Sequence, residues 1–291
     1  LSFVTRAVRF RRGGKALDEI EESGNPEAIA ASLVDIAPEE ERNLIRAPRA
    51  SSLYDACIRM HVIGTKERYK RYQRVNFKGR LTYGIGGAVH YWIQNTPDVF
   101  GDRRYGWWKC LACGTVRFFG GPPKRKCSCG ANAKASEYKE HYLEVDENGM
   151  IVTGHPDMFL LRKKHRVTEI KTITGNAFPS LKAPMIAHMW QIQTYMWAAN
   201  KCKNMPVEID DEVGYVLYIS KMEHSDLFPM KMFPVQKDPH LIGRIKAKLI
   251  LYKKGIASYP KNLPPKHREC ERNKGCWRAN TCPCKKICFS K

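Results

Sequence analysis

Gly154-His155-Pro156-Asp157-Met158-Phe159-Leu160-Leu161, followed after a short basic link by Val167-Thr168-Glu169-Ile170-Lys171, is the stretch on which the fold of this 291-residue chain turns. Each half reads as a strand. Period-two alternation puts Glu169 and Lys171 on one face of the second, with Thr168 and Ile170 on the other. Asp157 opens the first strand just after a Gly-x-Pro turn. Antiparallel pairing through an Arg162–Arg166 turn brings its carboxylate beside Glu169. Two adjacent carboxylates repel unless something positive lies between them, and a hard divalent cation, Mg²⁺ or Mn²⁺, is the usual solution. Lys171 is then placed to orient or deprotonate a water, or to stabilise charge on a phosphate.

Two segments outside the hairpin extend this pattern. Upstream, Gly84-Ile85-Gly86-Gly87-Ala88-Val89-His90 carries a histidine on a helix expected over Tyr83 to Gln94. Downstream, His188-Met189-Trp190-Gln191-Ile192-Gln193-Thr194-Tyr195 lies in a helix expected over Pro184 to Lys201, where the spacing of Gln191 and Tyr195 puts both on one face. A lone histidine in an apolar helix is more often a core or capping residue than a ligand. The order His, Asp, Glu-x-Lys, Gln-x-x-x-Tyr resembles that of the PD-(D/E)XK nuclease superfamily, in its RecB-like branch, over residues of roughly 80 to 200. The resemblance implies an α/β, restriction-endonuclease-like core, a central mixed sheet flanked by the His90 and Gln191 helices. It also implies that Asp157, Glu169, His90 and the Ile170 carbonyl ligate Mg²⁺ or Mn²⁺, that Lys171 assists the attacking water, and that Gln191 and Tyr195 contact substrate.

A formal net charge of +21 and a pI near 9.6 favour a polyanionic partner, and phosphate contacts make nucleic acid the leading one. Anionic lipid or an acidic assembly is the alternative. No apolar run has the length of a membrane span and nothing at Leu1 resembles a signal peptide, so a soluble, cytoplasmic protein of a bacterial or phage-infected cell is expected. The first residue is not Met, so the start of translation is expected upstream.

Nine of the 11 cysteines fall in two clusters while Cys57 and Cys202 stand alone, which argues for metal sites in a reducing compartment rather than for disulfides. Cys110-x-x-Cys113-Gly114 and Cys127-x-Cys129-Gly130 have zinc-ribbon spacing, the glycines permitting tight turns and four thiolates closing a structural Zn²⁺ site. Arg117, Lys124, Arg125 and Lys126 beside them are positioned to touch DNA. A second group, Cys270, Cys276, Cys282, Cys284 and Cys288, fills the tail. On a capped helix expected over Ser51 to Arg59, Ser52, Leu53, Cys57 and Arg59 are similar to the Ser-x-Leu…Cys-x-Arg segment of iron-sulfur members of the RecB-like branch. That resemblance implies a [4Fe-4S] cluster on Cys57 with Cys276, Cys282 and Cys288, where Cys270 or Cys284 can replace any tail ligand. The tail's spacing departs from the family's, and a small zinc site using His267 is the alternative.

The expected organisation is a helical arm over 1–50, a nuclease core over 51–263 interrupted by a zinc ribbon at 105–135, and a metal-bound tail over 264–291. Cations and aromatics interleave over 65–77, either as a stacking surface for a single strand or as the solvated face of a helix. Val213 to Lys221 reads as a buried strand, Phe233 to Val235 as an edge, and His240 to Lys254 as a basic amphipathic helix. The expected activity is metal-dependent hydrolysis of DNA ends or single strands, in recombination, replication or genome processing with proteins of those pathways. A non-catalytic DNA-binding or assembly subunit that keeps the fold is the competing reading.

Overall fold

The computed structural model describes residues 41–44, 47–73, 77–147, 149–222 and 229–290. In chain order the strands are β1 (Glu41–Leu44), β2 (Lys70–Gln73), β3 (Arg104–Cys110), β4 (Val116–Gly120), β5 (Ser136–Lys139), β6 (Leu143–Glu147), β7 (Met150–Gly154), β8 (Met158–Leu161), β9 (His165–Ile173), β10 (Val213–Ser220) and β11 (Met230–Gln236). The principal helices are α1 (Ile58–Lys66), α2 (Phe77–Asn95), α3 (Ile186–Lys201) and α4 (Pro239–Ser258), and three short ones, α5 (Arg268–Arg272), α6 (Trp277–Asn280) and α7 (Lys285–Ser290), close the chain.

Seven strands form one mixed sheet, in the order β11-β10-β9-β8-β3-β4 with β5 also on β3. Strand β10 runs parallel to β9, as a connection through α3 requires, and every other pair is antiparallel. The expected mixed sheet flanked by helices is what forms. Alternation along β9 divides the core: Val167 and Ile173 join Phe159, Ile192 and Tyr195 under α3, whereas Ile170 joins Met158, Trp108 and Ile93 under α2. Glu169 and Lys171 therefore emerge on the α3 face. Strand β11 lies at the sheet edge, where Pro234 removes no inner ladder bond.

Some local expectations are corrected. The helix read over Ser51 to Arg59 starts only at Ile58, after a 3₁₀ turn at Ala50–Ser52. The reason is tertiary: Leu53 is fully buried and Tyr54 packs edge-on against Trp190, which holds the segment in a turn on α3. Nor is 65–77 one helix face, because α1 ends at Lys66 and Lys70–Gln73 pairs with Glu41–Leu44. Most of the arm expected over 1–50 falls outside the described residues; Glu41, read as helical, belongs to β1.

The strands that carry the ribbon cysteines belong to the main sheet. Strand β3 pairs with β8 at its start, with β5 at its end, and with β4 along its other edge. Consecutive tryptophans secure it, one to each face: Trp108 is buried among Ile93, Met158 and Ile170, while the indole N–H of Trp107 donates to His141 Nδ1 at 2.7 Å. Arg104, fully buried, donates to the carbonyls of Ile93 (2.6 Å) and Thr96 (2.8 Å) and so fixes the C-terminal end of α2 to β3. Among the described residues no helix is long and apolar enough to cross a membrane.

Gly154, which ends β7, passes so close to α3 that a Cβ there would stand 2.4 Å from Tyr195 Cε1. Gly154→Ala must therefore overpack the site wall, and we expect a loss of about 1–3 kcal/mol, read as a lower denaturation midpoint at unchanged slope.

Candidate active site

Asp157 stands one residue before β8, and the register that pairs Met158 with Thr168 brings it level with Glu169. Its carboxylate is 6% exposed and already engaged: Oδ2 accepts the Ile170 N–H at 2.5 Å, and Oδ1 lies 3.3 Å from His90 Nδ1. His90 comes from α2, one turn before Gln94. Gln94 Nε2 donates to the Asp157 carbonyl (2.9 Å) and to Glu140 Oε1 (3.1 Å). Helix α2 is thereby bound to the segment that precedes β8.

Glu169 is more deeply placed, 2% exposed. Lys171 Nζ and Gln191 Nε2 both donate to its Oε1, each at 2.6 Å, and Gln191 also donates to the Tyr195 hydroxyl at 3.2 Å. Its other oxygen, Oε2, is buried without any hydrogen-bond partner. A buried carboxylate oxygen without a partner is costly. Here it is also beside like charge. Burial first, then Asp157 and Glu140, push the Glu169 carboxyl well above the ordinary carboxylate range. Burial alone would pull Lys171 down, but Glu169 and Asp157 outweigh it and hold the ammonium charged.

The sequence pattern missed Glu140. One atom each from His90, Glu140 and Asp157 lies within 4.8 Å of the others, a spacing suited to one cation. Glu140 is exposed at the level of the whole residue. Loss of water around its carboxyl, and then Asp157, nevertheless push it up to about 7. Glu169 is not in that compact triplet, and Ile170 contributes its N–H to Asp157. Glu140 follows β5 in an irregular segment, so no periodicity marks it; its place immediately before His141 was the only signal available. Gln191 and Tyr195, expected at substrate, are each 4% exposed; Gln191 donates to Glu169, and the Tyr195 hydroxyl accepts from Gln191. His188 is half-buried against Tyr218, whose hydroxyl is 2.6 Å from Nδ1, and loss of water around the ring followed by Lys171 pushes it down to about 4.

Cys110, Cys113, Cys127 and Cys129 also converge within 4.8 Å. The Sγ separations are 3.8 Å for Cys110–Cys129 and 3.7 Å for Cys113–Cys127. A tetrahedron with zinc–sulfur arms of about 2.3 Å has edges of about 3.8 Å. The donors fit zinc. Gly114 and Gly130 adopt φ of +75° and +87°, the left-handed turns that both knuckles need.

The tail is built differently. Cys57, Cys270, Cys282 and Cys288 line one cavity of about 260 Å³ with His267. Among the described residues they do not gather within 4.8 Å as the ribbon thiols do. Cys276, expected as a ligand, does not line that cavity; its Sγ lies 3.8 Å from Cys270 Sγ and accepts the Ala279 N–H at 3.3 Å. Cys284 is fully buried and donates to the Met60 carbonyl at 3.6 Å. Arg59 ties α1 to this tail through the carbonyls of Pro264 and Cys288, both at 3.2 Å.

No protein-family model and no curated protein matches the chain. Among solved structures it is similar to SSO0001, at TM-score 0.28 and 24% identity over 50% of this chain and 58% of that one. It is also similar to the alkaline exonuclease LHK-Exo from Laribacter hongkongensis, at TM-score 0.41 and 12% identity over 74% of this chain and 89% of that one. The chain thus spans less than two thirds of the length of SSO0001.

The raised carboxyls have a thermodynamic consequence. Glu140 and Glu169 keep protons in the folded state that the unfolded chain releases near about pH 4.3, so their contribution to stability is lost as pH rises through the folded values. A divalent cation bound by these carboxylates would take the place of those protons. The rise in melting temperature on adding Mn²⁺ should therefore be larger at pH 8 than at pH 6, and an equal rise at both would exclude these groups as its ligands.

Proposed function

We propose that the chain is a divalent-metal-dependent deoxyribonuclease acting on DNA ends or single strands. The observation that carries this reading is the orphaned Glu169 Oε2, buried beside Asp157 while both local donors occupy Oε1. A cation is the group that such an oxygen lacks. Asp157, Glu169, His90 and Glu140 are the residues that would hold it, Asp157 lying at the junction of the other three. Magnesium or manganese held there supplies Lewis-acid polarisation of a phosphodiester and a water of lowered pKa.

The chain's own groups complete the assignment. Lys171, kept charged, faces the carboxylates and is placed to stabilise charge growing on a phosphate oxygen or to orient a water. Gln191 and Tyr195 act as positioning residues, since they fix the rotamer of Glu169 from α3. The Ile170 N–H and Gln94 do the same for the Asp157 segment. The +21 net charge supplies non-specific attraction to the backbone of DNA. The cysteines are structural in this reading: Cys110, Cys113, Cys127 and Cys129 hold zinc, and Cys57, Cys270, Cys282 and Cys288 hold a [4Fe-4S] cluster that joins α1 to the tail.

Incubation of linear single-stranded DNA and of plasmid with Mg²⁺ or Mn²⁺ tests the activity. Asp157→Ala should cost at least about 100-fold in rate, and Glu140→Gln about tenfold, mostly recoverable at high Mn²⁺. Wild type and Asp157→Ala indistinguishable from each other would dispose of the nuclease assignment in favour of a non-catalytic DNA-binding subunit. Separately, protein purified without oxygen should be brown and contain iron and sulfide in equal amounts. Cys270→Ser should bleach it and Cys276→Ser should not; colourless protein carrying only zinc would contradict the cluster.

A further inference from the structure

Away from the carboxylates, a cavity of about 450 Å³ opens between β3, β4 and the ribbon loops. That lies within the range of small-molecule sites, about 300–1,000 Å³. Trp108, Phe119, Pro122 and Pro123 are among its apolar lining, and Arg117, Lys124, Arg125 and Lys126 among its polar lining. The rings of Trp108 and Phe119 lie nearly parallel, at 15° with centroids 6.3 Å apart, so the wall is a stacked aromatic platform. Trp108 is 3% exposed, whereas Phe119 is only half-buried and is the ring within reach. The indole Nε1 of Trp108 is buried without a partner.

The charge around this platform is one-sided. Among the described residues Asp102 is the only acid in the lining, and Lys124 pairs with it. Arg117 donates to Ser128 Oγ at 3.3 Å. Arg125 and Lys126 are exposed and have no anionic partner among the described residues. An aromatic face ringed by cations is the chemistry that holds an unpaired base by its π-face and its phosphates by charge. Cys110 and Cys127 also line the cavity, so the ribbon thiols form part of its wall and hold its shape.

We propose that the ribbon cavity is a single-stranded DNA subsite that stacks one unpaired nucleobase on Phe119, with flanking phosphates on Arg117, Arg125 and Lys126. The choice of DNA as the polyanion rests on the nuclease reading; the base-stacking pocket does not. The subsite grips the strand by a base and not only by its backbone, so it discriminates single strands from a sugar–phosphate chain that lacks bases.

Fluorescence anisotropy in buffer without added Mg²⁺ or Mn²⁺ and without chelator, so that cleavage is not supported and the ribbon keeps its zinc, measures this directly. The probes are labelled oligo-dT and an abasic oligomer of equal length and charge, and the protein is the full chain with zinc content verified. Wild type should bind oligo-dT about tenfold more tightly. Phe119→Ala should abolish that preference while leaving the salt dependence of binding unchanged; Phe119→Leu, which preserves bulk but has no aromatic face, should do the same if the ring itself is required. Arg125→Ala with Lys126→Ala should lower affinity for both oligomers and shallow the salt slope. Equal binding of the two oligomers by wild type, or a preference that survives Phe119→Leu, would overturn the subsite. A preference that is intact in a protein without nuclease activity would sink the catalytic reading and leave this one standing.

Discussion

Like charge forced together out of water is the constraint on which the rest of this molecule depends. Two carboxylates a few ångströms apart repel by about 4 kcal/mol at the effective dielectric of a protein site, more where water is fully excluded. The fold places Asp157 and Glu169 side by side through β8 and β9, and adds Glu140 from the segment after β5. One ammonium, Lys171, offsets part of that repulsion, but it sits on one oxygen of Glu169 and leaves the other bare. A buried arrangement of this kind is a poor way to stabilise a protein. It is a good way to hold a cation.

The elements around the carboxylates are arranged to keep them there. Helix α3 covers one face of the sheet and sends Gln191 down to Glu169; α2 covers the other and sends His90 and Gln94 to Asp157 and Glu140. Buried Arg104 fixes α2 to β3, and β3 is at once a central strand and the root of the ribbon. The cysteine centre of the ribbon therefore bears on the same strand that positions the carboxylate site. At the other end, Arg59 and the tail carbonyls bind α1 to residues more than two hundred positions away and so close a long loop.

Much of this was legible in the sequence, for identifiable reasons. The hairpin was readable because successive side chains of a strand face opposite ways, which puts Glu169 and Lys171 on one side, and α3 because the Gln191–Tyr195 spacing fits a helical period. The ribbon knuckles were readable because covalent spacing nearly dictates thiol geometry. Glu140 was not, because it belongs to no periodic element and joins the site only through the pairing of β5 with β3. Gln191 and Tyr195 share a helix face, as their spacing implies, but depth is a tertiary property that spacing does not give, and both are buried. The late start of α1 has the same origin: burying Leu53 and Tyr54 against α3 and α4 outweighs a local helix signal. In the tail, spacing alone could not rank five cysteines that differ mainly in which way the short helices turn them.

Crystals of the chain soaked in Mn²⁺ and measured for anomalous scattering would test the central claim most directly. The account predicts a peak in ligand contact with Asp157 and with the oxygen of Glu169 that Lys171 and Gln191 leave free. Absence of density between those two side chains, with Glu169 still unpartnered or turned away toward the core, would contradict it.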